Sequence, residues 1–177
     1  MHSLHLSQQP CSCEAVDPFA PDPFARRFGC ALPRGMREEA ADMTWQGFSD
    51  RYAPTGAIRL GSLRIETGRD DMVTCHATIA LAGRIMSLQA SAVGPIGAMT
   101  SMLHDIGAPI QIVSLHQREV GGTVTTFLLC ESDDRQCWAY GDGNTGDEAN
   151  VNALIAGANR LRDPISSGGV SSGGRER

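Results

Sequence analysis

From Ile58 onward the chain carries one order of elements twice, and this duplication limits its fold more than any other feature. In the first unit Ile58 to Glu66 reads as a strand. Met72 to Leu81 follows, where Val73, Cys75, Ala77, Ile79 and Leu81 alternate with Thr74, His76 and Thr78, the pattern of a half-buried strand. Gly83 permits a tight reversal, and Met86, Leu88 and Ala90 supply the next alternating face. Gly94-Pro95 then opens a helix, since proline is tolerated at the first helical position. Ile96, Met99, Leu103 and Ile106 line one side of it, and Gly107 with Pro109 ends it.

The second unit repeats the order. Ile110 to His116 and Val124 to Cys130 are strands, and a turn at Ser132 to Arg135 leads into a third over Cys137 to Tyr140. After a Gly141-Asp142-Gly143 loop, Thr145 and Glu148 have the spacing of a capping box. Val151, Leu154, Ile155, Ala158 and Leu161 form the buried stripe of the closing helix. The expected fold is α+β: two βββα units of about fifty residues packed as an internal pseudo-repeat, each sheet covered by one helix.

The rest of the chain divides around this core. Residues 1–41 hold Pro10, Pro18, Pro21, Pro23 and Pro33 without a sustained apolar period, so a disordered tail is expected. That segment contains a tandem echo, Asp17-Pro18-Phe19-Ala20 and Asp22-Pro23-Phe24-Ala25, which suits a Pro-rich linker better than a docking motif. Residues 42–56 read as a linker with a short helix, because Trp45, Phe48 and Tyr52 fall on one face before Pro54 and Gly56. The domain proper is expected over 57–163, and the Ser/Gly-rich residues 164–177 as a second disordered tail.

The net charge is −5 and no Lys/Arg cluster occurs, which argues against nucleic-acid or anionic-membrane partners. No apolar run reaches the ~18–20 residues that span a bilayer, and the polar Met1 to Pro10 stretch is no secretory signal. A cytoplasmic protein with its six cysteines as thiols is the expectation.

Few groups offer chemistry. His2, His5, Cys11, Cys13 and Cys30 leave open a metal or thiol protein, but their spacing matches no strong zinc pattern. His76 sits among threonines on a polar strand face, and His104 beside Asp105 lacks a third partner. His116, at a strand end near Arg118 and Glu119, is the histidine best placed for a ligand. Cys75, Cys130 and Cys137 fit strand faces as small apolar residues. No nucleophile, base and orienting group assemble, so no catalytic residue, cofactor or metal is expected.

Several stretches together resemble a known family. Ala92-Val93-Gly94-Pro95-Ile96-Gly97-Ala98-Met99, with Leu103-His104-Asp105-Ile106-Gly107, is similar to the first helix of the C-terminal regulatory (dimerisation) domain of 2-isopropylmalate synthase. Cys137-Trp138-Ala139-Tyr140-Gly141 and Asn159-Arg160 resemble that domain's Trp-Gly strand and closing helix, and Met43 to Phe48 with Tyr52-Ala53-Pro54 resembles its upstream linker. The likeness covers roughly Asp42 to Arg162, as a stand-alone chain without the catalytic barrel of about 250 residues.

The resemblance implies a non-catalytic homodimer in leucine biosynthesis that binds leucine or a related amino acid at the dimer interface and serves a separate synthase chain. The implied effector residues are Val93, Gly94, Pro95 and Ile96 at the helix start. With them come Leu115, His116 and Gln117 on the following strand and Gly121 and Gly122 in the loop beyond. Val93 stands where the family has Asn, and Ser114-Leu115-His116 replaces an Asp-Tyr-Tyr-type run. An assembly-only dimerisation protein without the effector pocket is therefore the alternative.

Overall fold

The structure, a computed structural model, describes residues 7–8 and 22–162. A short strand β1 (Ser7–Gln8) precedes three short helices, α1 (Pro23–Phe28), α2 (Arg34–Ala40) and α3 (Trp45–Tyr52). The first βββα unit comprises β2 (Ile58–Thr67), β3 (Met72–Leu81), β4 (Arg84–Val93) and α4 (Gly94–Asp105). The second comprises β5 (Gln111–Val120), β6 (Thr123–Ser132), β7 (Arg135–Gly143) and α5 (Gly146–Arg162). The duplicated α+β architecture is the one the alternation pattern predicts.

The duplication extends to register. β2-β3-β4 form one antiparallel sheet and β5-β6-β7 another, with β1 parallel beside β5. Both first strands carry an irregularity at the same place, between Leu60 and Ser62 and between Ile112 and Ser114. His76 opposite Gln89 corresponds to Phe127 opposite Tyr140. Both β-hairpin turns of the second unit are set by residues with positive φ: Gly121 (59°) with Gly122 (80°), and Asp133 (49°) with Asp134 (61°). Two successive positive-φ residues give the turn whose twist matches the flanking strands.

One apolar core lies between the sheets. Val73, Cys75, Ala77 and Ile79 of β3 meet Ala98, Met99, Met102 and Leu103 of α4. Leu128 and Cys130 of β6 meet Val151, Leu154 and Ala158 of α5 from the other side. Gly141 and Gly143 let α5 close on β7: a Cβ on Gly141 would lie 2.3 Å from the Ala153 nitrogen. Those two glycines and Asp142 are therefore the end of a strand, not the loop expected from their composition. The cap also differs in detail. Thr145 Oγ1 accepts from the Glu148 N–H at 3.2 Å, but Glu148 reaches back to the Asn144 N–H at 2.8 Å, one residue before the expected partner.

The disordered tail expected over residues 1–41 does not hold for residues 22–41. Phe24, Leu32, Met36 and Ala40 are buried with Phe48 and Tyr52 against Phe127, Trp138 and Tyr140, on the outer face of the second sheet. Asp22, 1 % exposed, organises this layer. Its carboxylate accepts from the Ala25 N–H at 2.6 Å, capping α1, and from the Leu32 N–H at 3.4 Å, while Arg37 lies 3.7 Å away. The second half of the Asp-Pro-Phe-Ala echo is thus a helix cap with Pro23 at the first position and Phe24 inserted edge-on to Phe127 (5.1 Å). Its first half, the remainder of residues 1–21 apart from Ser7–Gln8, and residues 163–177 lie outside the described residues. Thr44 caps α3 by accepting from the Gly47 N–H at 3.1 Å. Cys30 is disulfide-bonded, against the expectation of six thiols, whereas Cys75, Cys130 and Cys137 are free.

Candidate functional site

The nine expected effector residues fall into two groups, one in each unit. Val93 ends β4 and occupies the cap position of α4 with no side-chain hydrogen bond, the residue being 71 % exposed. Valine offers no acceptor, and the first turn of α4 carries no acidic residue. Gly94 takes a positive φ of 76°, and its N–H donates to the Asp71 carbonyl at 3.2 Å. Pro95 has no N–H. The Ile96 side chain packs partly against the core and its carbonyl accepts from Thr100 Oγ1 at 2.8 Å. The main-chain donors of this first turn thus meet no side-chain acceptor, which is the condition under which a helix start attracts an anion.

On β5 the three consecutive candidates point to alternate faces. Leu115 is buried in the core opposite Leu128. His116 turns outward, half-buried, with its ring 6.1 Å from that of Trp138. Burial, and secondarily the Arg118 charge, hold its pKa below the usual histidine value of 6.5. Gln117 turns inward to the start of α5. Its Nε2 lies 2.8 Å from Asn150 Oδ1, 3.1 Å from Thr126 Oγ1 and 3.2 Å from the Gly146 carbonyl. Thr126 Oγ1 donates to the same Asn150 oxygen at 2.9 Å, closing a buried polar cluster. Gly121 and Gly122 form the hairpin turn at the far end of β5.

Three clefts involve residues that periodicity did not single out. One, about 270 Å³, lies where the chain passes from α3 to β2, lined by Pro54, Arg59, Tyr140, Asp142, Asn152 and Asn159. Burial raises the Asp142 pKa, and the hydrogen bond from Thr125 opposes it. A second, about 510 Å³, separates Leu60, Leu63 and Ile65 of β2 from Thr145, Glu148 and Asn152 at the start of α5. A third of the same size is bounded by Pro23, Arg26, Arg27, Met43 and Trp45 in the outer helical layer. Only a three-dimensional fold could reveal the first two, because each joins segments far apart in the chain.

Among the described residues no group of three or more His, Cys, Asp or Glu side chains could hold a metal ion. The metal alternative rested on His2, His5, Cys11 and Cys13, which lie outside the described residues, and on Cys30, which is disulfide-bonded. Also among the described residues, no helix is long and apolar enough to cross a membrane.

The fold and its uncapped helix start describe a small α+β module with polar clefts. Comparison with known proteins connects this module to one enzyme. The chain is similar to 2-isopropylmalate synthase of Arthrobacter sp., at 30% identity over 138 residues covering 71% of the chain and 24% of the synthase. The synthase of Renibacterium salmoninarum is 28% identical over 140 residues with the same coverage, and that of Clavibacter michiganensis 22% over 129 residues. The chain is thus a homologue of one segment of 2-isopropylmalate synthase, and it spans about a quarter of the length of these curated relatives. No family model matches it. The resemblance read from the sequence is borne out at this level.

Proposed function

We propose that the chain is the regulatory, dimerising module of a 2-isopropylmalate synthase system and is not itself a catalyst. The observation that carries this is the extent of the homology. It covers about a quarter of the synthases' length, and that quarter coincides here with a duplicated βββα fold rather than a barrel. In this reading the module acts on a synthase-type catalytic chain in the cytoplasm and belongs to leucine biosynthesis. Leucine, or a related small amino acid, is the effector. Its carboxylate would meet the uncapped first turn of α4 at Val93, Gly94, Pro95 and Ile96. Leu115, His116, Gln117, Gly121 and Gly122 complete the proposed site, across the interface of a homodimer.

A second reading, an assembly protein without an effector pocket, has specific support. Leu115 is committed to the core, and the Gln117 amide nitrogen is committed to Asn150, Thr126 and Gly146. Thermal melting of the full chain with leucine, isoleucine, valine and zinc in turn separates the readings. An effector at 100 times its Kd stabilises the fold by about 2.7 kcal/mol, a shift of several degrees. Leucine is expected to raise the Tm. A melt indifferent to all three amino acids, with a dimer still present by light scattering, leaves the assembly reading. A response to zinc alone overturns both.

A further inference from the structure

Of the four long edges of the two sheets, three are paired or blunted among the described residues. β5 is flanked by β1. On β7 two of the outward carbonyls are taken by α5 side chains: Arg160 donates to Trp138, and Asn152 Nδ2 to Asp142 at 2.8 Å. On β2 the bulge between Leu60 and Ser62 interrupts the edge. Asn159 there pairs with both main-chain groups of Ile58 at 2.9 Å, and Arg59, Arg64 and Glu66 follow along the strand. These are the devices by which edges avoid pairing with another chain.

β4 has none of them. It runs ten residues in unbroken register with β3, with no proline, no bulge and no charged residue after Arg84. The hairpin closes at the Leu81–Arg84 pair, so alternate residues from Arg84 to Ala92 direct their main-chain groups to β3. Those of Ile85, Ser87, Gln89, Ser91 and Val93 point to the open edge.

We propose that this edge is the contact between two copies of the chain, paired antiparallel about a two-fold axis through Gln89. Several two-fold antiparallel registers set outward groups against outward groups, but only the one centred on Gln89 engages all five of those residues. Ile85 then faces Val93 of the second copy, Ser87 faces its Ser91, and the two Gln89 residues face each other.

The side chains support the same register independently. The exposed large apolar residues include Ile85 (76 %), Val93 (71 %) and Met72 (39 %), and Met72 is the cross-strand neighbour of Val93. The register gathers these three into one apolar group at each end of the seam. It also sets Arg84 of one copy alongside Gly94 of the other, whose N–H is bonded to Asp71 in the acidic Asp70-Asp71 turn. The outcome is a continuous six-stranded sheet, with the start of α4 in each copy at the end of the seam. This inference rests on the dimer part of the function proposed above and is independent of any effector.

The test is the mass of the full chain by sedimentation equilibrium, for the wild type, Gln89→Pro and Ile85→Lys. Proline at 89 removes an outward N–H and leaves the β3–β4 ladder intact, as edge strands allow. A dimeric wild type whose mass halves in both variants, with unchanged far-UV circular dichroism, is the expected result. Should Gln89→Pro unfold, Ile85→Lys decides together with Gln89→Cys, which should give an oxidised dimer that Ser62→Cys does not. A dimeric wild type with all these variants behaving alike overturns the β4 seam and leaves the dimer reading standing. A wild type that is monomeric at every concentration overturns both.

Discussion

At corresponding positions the outer faces of the two sheets carry different chemistry. The second sheet has Phe127 across from Tyr140 and Leu129 across from Trp138; the first has His76 across from Gln89 and Thr78 across from Ser87. The inner faces remain alike, Ala77 with Leu88 and Leu128 with Ala139, because each lies under a helix. The aromatic outer face requires a cover, and α1–α3 supply it. The polar outer face satisfies itself, through hydrogen bonds between Ser62 and Thr78 (3.0 Å) and between Thr74 and Ser91 (2.8 Å). The helices diverge too: α5 has 17 residues and reaches the β7 edge, whereas α4 has 12 and leaves β4 open. One repeated unit has become the anchor of a layered domain, and the other has kept a solvated face and a free edge.

The largest effect that could break this comparison is at Phe127. Its truncation to alanine opens a cavity beneath the N-terminal helices and should cost about 3–5 kcal/mol in urea unfolding. His76→Ala, at the matching position in the first unit, should stay within about 0.5 kcal/mol. Equal losses would show that the first sheet is covered as well. A smaller effect separates the two helix contacts. Gly141→Ala places a Cβ against the α5 backbone and should cost about 1–3 kcal/mol, whereas the matching position in β4 is already Ala90. A neutral Gly141→Ala would mean that α5 can withdraw from β7 without loss.

Much of this was legible in the chain itself. Period-two alternation marked β3 because one face meets a helix and the other meets solvent, and the helix over Trp45–Tyr52 was visible from three aromatic residues on one face. The N-terminal layer was not legible. Helices of six and seven residues are too short to show a period, and their prolines read as linker. Their burial is set by Phe127, Trp138 and Tyr140, about a hundred residues away in the chain. The signal was in the second unit: Phe127-Leu128-Leu129 is apolar on both faces of its strand, which calls for cover on both sides. Of the expected effector residues, Gln117 lies on β5, just past the His116 end of the strand read from the sequence, and no sequence pattern showed that its amide is engaged by Thr126 and by Asn150 of α5.

The smallest expected effect sharpens the contrast between the outer faces by way of acidity. His116 lies on the covered sheet, beside Trp138, with its pKa held below 6.5 by burial and by Arg118. In the unfolded chain the imidazole takes up a proton near its ordinary value, whereas in the folded chain it does so only at lower pH. The unfolded state therefore binds more protons between those two values, and stability falls as pH drops through that window. Above 6.5 both states are neutral and the contribution is constant. Below the folded value both are charged and the loss is complete. Urea midpoints measured from pH 7.5 down to pH 5 should show this decline, and His116→Gln should flatten it while leaving stability at pH 7.5 little changed. If the slope survives in His116→Gln, the decline arises elsewhere, and His116 is as freely solvated as a side chain on the open face of the first sheet.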